Sequence, residues 1–162
     1  MRTIDDNSFA SSLSEMEDEE LTQLRAALDS ELRKRELGAS VGEVAERLAI
    51  SFFNETPGLP NLTKASAGTA YVDALSRRGE RYSIKGIHRG HKTGTVYPDS
   101  GDEKRQLFEY LLVVKLNDEW TLESIHEFDW PTFVRCRKWD GHMSAWYIGI
   151  AKKTMAKARQ IF

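Results

Sequence analysis

Two β-rich runs, residues 70–76 and 81–87, are joined by Arg77-Arg78-Gly79. A three-residue loop ending in glycine matches a type I turn closed by a left-handed residue, and loop length sets the register of the strands it joins. Pairing Ser76 with Glu80 places Ala74 opposite Tyr82, Asp73 opposite Ser83, Val72 opposite Ile84 and Tyr71 opposite Lys85. Side chains alternate along a strand. Val72, Ala74, Tyr82 and Ile84 therefore form an apolar face, while Asp73, Ser83 and Lys85 share the other. A two-residue loop would have sent Asp73 and Lys85 to opposite sides. The plainest reading of that pair is a cross-strand ion pair worth roughly 0.2–1 kcal/mol when exposed. A carboxylate, a hydroxyl and an ammonium gathered at mid-strand also make a constellation capable of chemistry.

The rest of the chain supplies a frame for this hairpin. Residues 1–13 read as a flexible, polar lead-in, and residues 14–162 as a single domain. Ser14-x-x-Glu17 has the form of a capping box, followed by Leu21, Leu24, Leu28 and Leu32 at helical spacing as far as Gly38. That narrow stripe suits a surface helix or a small coiled-coil seam, which admits a homodimer or a dimerising adaptor. A second box, Ser40 with Glu43, opens a helix over 41–53 with Val41, Val44, Ala45, Leu48 and Phe52 on one face. At about 100° per residue Glu43 lies opposite this face, while Glu46 borders it in one row with Gly42, Ala49 and Phe53. Capping explains Glu43 but not Glu46, and a carboxylate at a buried margin calls for a cationic partner. Beyond Pro57-Gly58-Leu59-Pro60, β-rich runs at 62–66, 70–76, 81–87, 108–116, 120–128 and 144–150 predict an α/β domain with a central mixed β-sheet flanked by helices. A lysine-rich helix over 151–162 closes it, and the polar stretch 88–106 reads as a long loop of the kind that carries function.

Composition removes several classes. No window approaches 18 consecutive apolar residues, and the N-terminus lacks a secretory pattern, so a membrane span and export are not expected and the cytoplasm is. A lone Cys136 supports neither an internal disulfide nor a multi-thiolate zinc site. The net charge of −2 conceals an asymmetry: residues 1–50 carry 6 Lys/Arg against 12 Asp/Glu, and residues 135–162 carry 7 against 1. Two cationic segments are candidates for a polyanion surface. One is the glycine-rich stretch with Arg89, His91 and Lys92, beside Lys85; the other is Arg135, Arg137 and Lys138 next to Trp139. His88 and His91 lack a third soft ligand, and His126 and His142 have no motif around them.

Three motifs occur in a telling order: Glu31-Leu32-Arg33-Lys34-Arg35, then Val41-Gly42 through Glu46, then Asp73 through Gly79 to Tyr82-Ser83-Ile84-Lys85. This arrangement resembles the PD-(D/E)xK nuclease superfamily, and most closely its small bacterial restriction endonuclease-like domains, over about residues 20–150. The resemblance implies a restriction endonuclease-like core and magnesium-dependent hydrolysis of DNA phosphodiester bonds, in a bacterial restriction or defence setting. It further implies a Mg²⁺ ion, replaceable by Mn²⁺, on Asp73, Glu46 and the Ile84 carbonyl. Ser83 and Lys85 would complete the catalytic set, and double-stranded DNA would lie across Arg89, His91, Lys92, Arg135, Arg137 and Lys138. One departure matters. The superfamily carries an acidic residue where this chain has Ser83. Either Glu46 supplies the second carboxylate, or the domain is a catalytically weak or inactive module that binds DNA or a partner without cutting.

Overall fold

The computed structural model describes residues 6–35, 37 and 40–162, which divide into two compact units at 39/40. In the first unit, α1 spans Asp6–Ser14 and α2 spans Asp18–Lys34. The sequence reading is corrected here, because Asp6–Ser14 is helical rather than a flexible lead-in and Ser14 ends a helix instead of starting one. Glu17 caps α2, and its box partner is Glu20, whose carboxylate accepts from the Glu17 N–H at 3.0 Å. Gly38, read as the stop of the leucine helix, lies outside the described residues, as do residues 1–5.

The second unit, from Ser40 onward, is an α/β domain. Its first helix, α3 (Val41–Glu55), begins at Ser40, which exchanges capping contacts with Glu43. A six-stranded mixed sheet follows, built from β1 (Leu62–Lys64), β2 (Ala74–Ser76), β3 (Arg81–Ile87), β4 (Tyr110–Leu116), β5 (Leu122–Asp129) and the short edge strand β8 (Arg159–Gln160). The spatial order is β1-β2-β3-β4-β5-β8. Only β3 and β4 run parallel; the other neighbours are antiparallel. Parallel neighbours need a crossover of a dozen or more residues, and residues 88–109 provide it. The long polar loop thus has a topological cause.

Each face of the sheet carries its own core. On one, Val44, Ala45, Ala49 and Phe53 of α3 pack with Ala74, Tyr82, Ile84, Leu112, Val114 and Ile125. Small residues let the helix come close, and α3 crosses directly over Gly86. On the other, Ile87, Leu111, Val113 and Phe128 meet Phe108, Phe133, Cys136 and Ile148. This second layer includes α4 (Trp130–Cys136) and a hairpin of β6 (Lys138–Asp140) with β7 (Ala145–Tyr147); β7 falls within the β-rich run read at 144–150, whereas α4 and β6 were not read from the sequence. The expected C-terminal helix is only one turn, α5 (Lys152–Met155), because the chain then extends as β8 to cover the edge of β5. No helix among the described residues is long and apolar enough to cross a membrane.

Candidate active site

The β2–β3 turn forms as its residues dictate. Gly79 sits at φ 83°, in the left-handed region that glycine enters without strain, and Ser76 N–H donates to the Glu80 carbonyl at 2.9 Å. Ala74 faces Tyr82 and Leu75 faces Arg81 as the loop length requires. Beyond Ala74 the expected ladder stops. Asp73 N–H also donates to the Tyr82 carbonyl, at 2.8 Å, so two successive residues oppose one, and Tyr71 turns the chain away at φ 65°. Such a bulge re-aims the extra side chain.

The re-aimed side chain is the Asp73 carboxylate. Its Oδ2 accepts from the Ile84 N–H at 2.6 Å and from Ser83 Oγ at 3.3 Å. A carboxylate thus takes the place of the departed strand's backbone. Along a strand, a residue's N–H and C=O point to the same side. The Ile84 carbonyl is therefore directed toward this gap as well, away from β4. Asp73 Oδ1 makes no hydrogen bond among the described residues.

Asp73, Ser83 and Lys85 line a single cavity of about 270 Å³, together with Tyr71, Thr95, Val96 and Tyr97. Ser83 is 2% exposed. Lys85 is half-buried and forms no ion pair among the described residues, so the cross-strand Asp73–Lys85 pair admitted by the sequence is absent. Val96 is held against β7 by paired backbone hydrogen bonds with Trp146, at 2.7 and 2.9 Å. Buried Thr93 likewise bonds Ile148 through its N–H and its hydroxyl. These two tethers make the crossover loop a fixed wall of the cavity. Thr95, Val96 and Tyr97 were not singled out from sequence, since a wall brought in by β7 leaves no local signal.

Glu46, expected as a second carboxylate beside Asp73, does not line this cavity. It rides on α3, which covers the Tyr82/Ile84 face, whereas Ser83 and Lys85 alternate onto the opposite face with Ile87. The cationic partner its position called for is Lys64 of β1, 2.9 Å away. The Glu46 contact, with Glu43 and Asp73 adding at longer range, holds the Lys64 ammonium above its ordinary pKa. Lys64 pairs opposite Ala74, next to Asp73. The Lys64 ammonium thus lies in the field of both carboxylates, paired with Glu46 and at longer range from Asp73. Among the described residues no group of three or more His, Cys, Asp or Glu side chains is arranged to hold a metal ion.

The two basic segments, some fifty residues apart in sequence, become neighbours through the β6–β7 hairpin. Lys92 bridges to Gly149, reaches Asp140 at 2.8 Å and lies over the Tyr147 ring. Arg137 stacks on Trp146, with its guanidinium carbon 3.9 Å from the ring centroid, and burial pulls its pKa down. Lys138 is paired opposite Tyr147 and is exposed. Arg135 donates to Thr132 Oγ1 at 2.8 Å, and Arg89 pairs with Asp118 at 3.1 Å. His91 is exposed, and its carbonyl accepts from Ile150. Lys92 and Arg89 are thus partly neutralised in place, while Arg135 and Lys138 have no carboxylate partner among the described residues. The hairpin closes through a four-residue connection, 141–144, in which Asp140 Oδ1 accepts from the N–H groups of His142 and Met143 and Ser144 sits at φ 49°. His88 packs against Trp120, and its buried Nε2 has no hydrogen-bond partner among the described residues, Asp118 Oδ1 being 3.8 Å away. No family model matches the chain, and no curated protein is significantly similar to it.

Proposed function

We propose that this chain is a divalent-metal-dependent endonuclease that hydrolyses DNA phosphodiester bonds on a restriction endonuclease-like core. The observation that carries this reading is the cavity in which Asp73, Ser83 and Lys85 meet at the gap between β2 and β3. The donor set suits a magnesium ion shared with substrate: Mg²⁺ is commonly held by one or two carboxylates plus a phosphate and waters. Asp73 Oδ1 and the Ile84 carbonyl are the protein donors. When bound, the ion supplies charge neutralisation at the phosphate and a more acidic water. Asp73, fixed by the Ile84 N–H and Ser83 Oγ, holds its oxygens in one place before substrate arrives. Lys85 lines the same cavity, where its ammonium would balance charge developing on the phosphorus centre or orient the attacking water. Ser83 contributes a hydroxyl and no negative charge. A restriction or defence role rests on the sequence resemblance alone.

A second reading is favoured by two observations, the serine at position 83 and the engagement of Glu46 by Lys64. With one carboxylate at the gap, the same domain would bind DNA without turnover. Supercoiled plasmid incubated with Mg²⁺ or Mn²⁺ separates the two. The endonuclease reading expects nicking by the native protein and its loss in Asp73→Asn, which keeps an acceptor for the Ile84 N–H. Retarded but uncut plasmid transfers the conclusion to the binding module, and intact, unbound plasmid removes both.

The cationic surface has its own test. Replacing Arg135 and Lys138 by alanine is expected to weaken DNA binding and to reduce the slope of log K against log salt by roughly one for each lost phosphate contact. An unchanged slope, measured by fluorescence anisotropy across a salt series, would put the DNA on another face.

A further inference from the structure

The first unit presents a helix with no buried residue. Leu21 and Leu24 of α2 are each 37% exposed and Leu28 is 57% exposed. Their three-then-four spacing is that of a coiled-coil seam, and Leu32, four residues beyond Leu28, lies at its margin. An apolar stripe left in water contributes nothing to holding a helix, whose stability in proteins comes mostly from packing of such a face. The seam therefore calls for a cover, and the charges along α2 say which. Asp18, Glu19 and Glu20 occupy its first turn, and Arg33 and Lys34 its last, with Arg35 as the C-cap. Two copies side by side in parallel would set acid against acid and base against base. Antiparallel copies set each acidic start against a basic end, and their helix dipoles also oppose favourably.

We infer that α2 is a self-association element, which pairs antiparallel with α2 of a second copy of this chain. In a register centred near residue 26, Leu24 and Leu28 meet across the two-fold axis, Leu21 comes beside Leu32 of the second copy, and the acidic turn Asp18 to Glu20 lies along the basic end Arg33 to Arg35. The intrahelical contacts from Glu31 to Arg35 (2.7 Å) and Lys34 (3.9 Å) lie on exposed side chains, where such pairs contribute little, and leave the arginines able to turn outward. This inference stands apart from the nuclease reading, because it uses no residue of the second unit.

Sedimentation equilibrium of the full chain, over roughly two decades of protein concentration, reads it directly. The native protein should pass from one copy to two, and Leu24→Asp with Leu28→Asp should raise the dissociation constant at least about tenfold. The melting of the second unit should be unchanged, because α2 buries no side chain. Added salt should weaken the native dimer. An all-acidic variant, Arg33→Glu, Lys34→Glu and Arg35→Glu, should be monomeric alone, and should form a mixed dimer with Asp18→Lys, Glu19→Lys and Glu20→Lys. A native protein monomeric throughout, a dimer indifferent to the leucine changes, or one strengthened by salt as parallel like-charged ends require, overturns the inference.

Discussion

The Gly86→Ala variant is expected to lose about 3 kcal/mol of stability, a fall in Tm of roughly 10 °C for a unit of this size. A Cβ built on Gly86 would stand 2.6 Å from the Ala45 Cβ and 2.7 Å from the Val41 carbonyl oxygen. Neither neighbour is the far end of a flexible side chain; one is the stub of a fully buried alanine and the other is helix backbone. Relief requires α3 to lift from β3 along the face where Val44, Ala45, Ala49 and Phe53 are sealed. Gly42 gives the control. It lies in the first turn of α3, and a Cβ there would meet only Ser40 Oγ, at 4.0 Å. Gly42→Ala should be neutral or slightly stabilising, since alanine is the better helix former by up to about 1 kcal/mol. Thermal melts of the two variants decide the matter. Equal stabilities would mean that α3 does not depend on the close approach at Gly86.

Legibility in the sequence followed how local each determinant is. Ser40 and Glu43 mark the start of α3 because a capping box is complete within four residues. Arg77-Arg78-Gly79 identifies its hairpin because loop length and a left-handed glycine suffice. The same logic misled at Ser14, where a capping box is equally spelled by Glu17 and Glu20, three residues later. At the C-terminus, lysine spacing suggests a helix through Phe162. Non-local pairing overrides it: Ile161 N–H donates to the Ile125 carbonyl at 2.8 Å, and Phe162 packs edge-on to Phe52 at 5.1 Å. The α4 signal was present in Asp129-Trp130-Pro131-Thr132, an N-cap acid followed by an early proline. In the candidate site, Asp73, Ser83 and Lys85 line one cavity, but the ladder expected to align them ends at Ala74, and Asp73 reaches Ser83 from a bulge that no alternation rule announces. Helical periodicity located the margin on which Glu46 lies. It carried no information on which strand would meet that margin, and Lys64 of β1 does so.

Lys85 is the residue on which the proposed chemistry is most exposed to test. Its ammonium has no ion-pair partner among the described residues, and its Cδ lies near Gly94 in the crossover loop. A lysine that serves stability would be expected to hold a carboxylate, and Asp73, which lines the same cavity, instead gives Oδ2 to Ile84 and Ser83. Lys85→Met keeps the aliphatic stem and removes only the charge. It should lower the single-turnover rate of DNA cleavage by about two to four orders of magnitude, the range for loss of a positioned acid-base or charge-stabilising group. Affinity for DNA should change by a few fold at most, and Tm hardly at all. Lys85→Arg should not restore the rate, because a planar guanidinium cannot place a single charge where the ammonium stood in a cavity of about 270 Å³. Cleavage that survives Lys85→Met would mean that the cavity beside Asp73 is not where the phosphodiester is broken. A drop in Tm matching the drop in rate would mean that Lys85 supports the fold rather than the reaction.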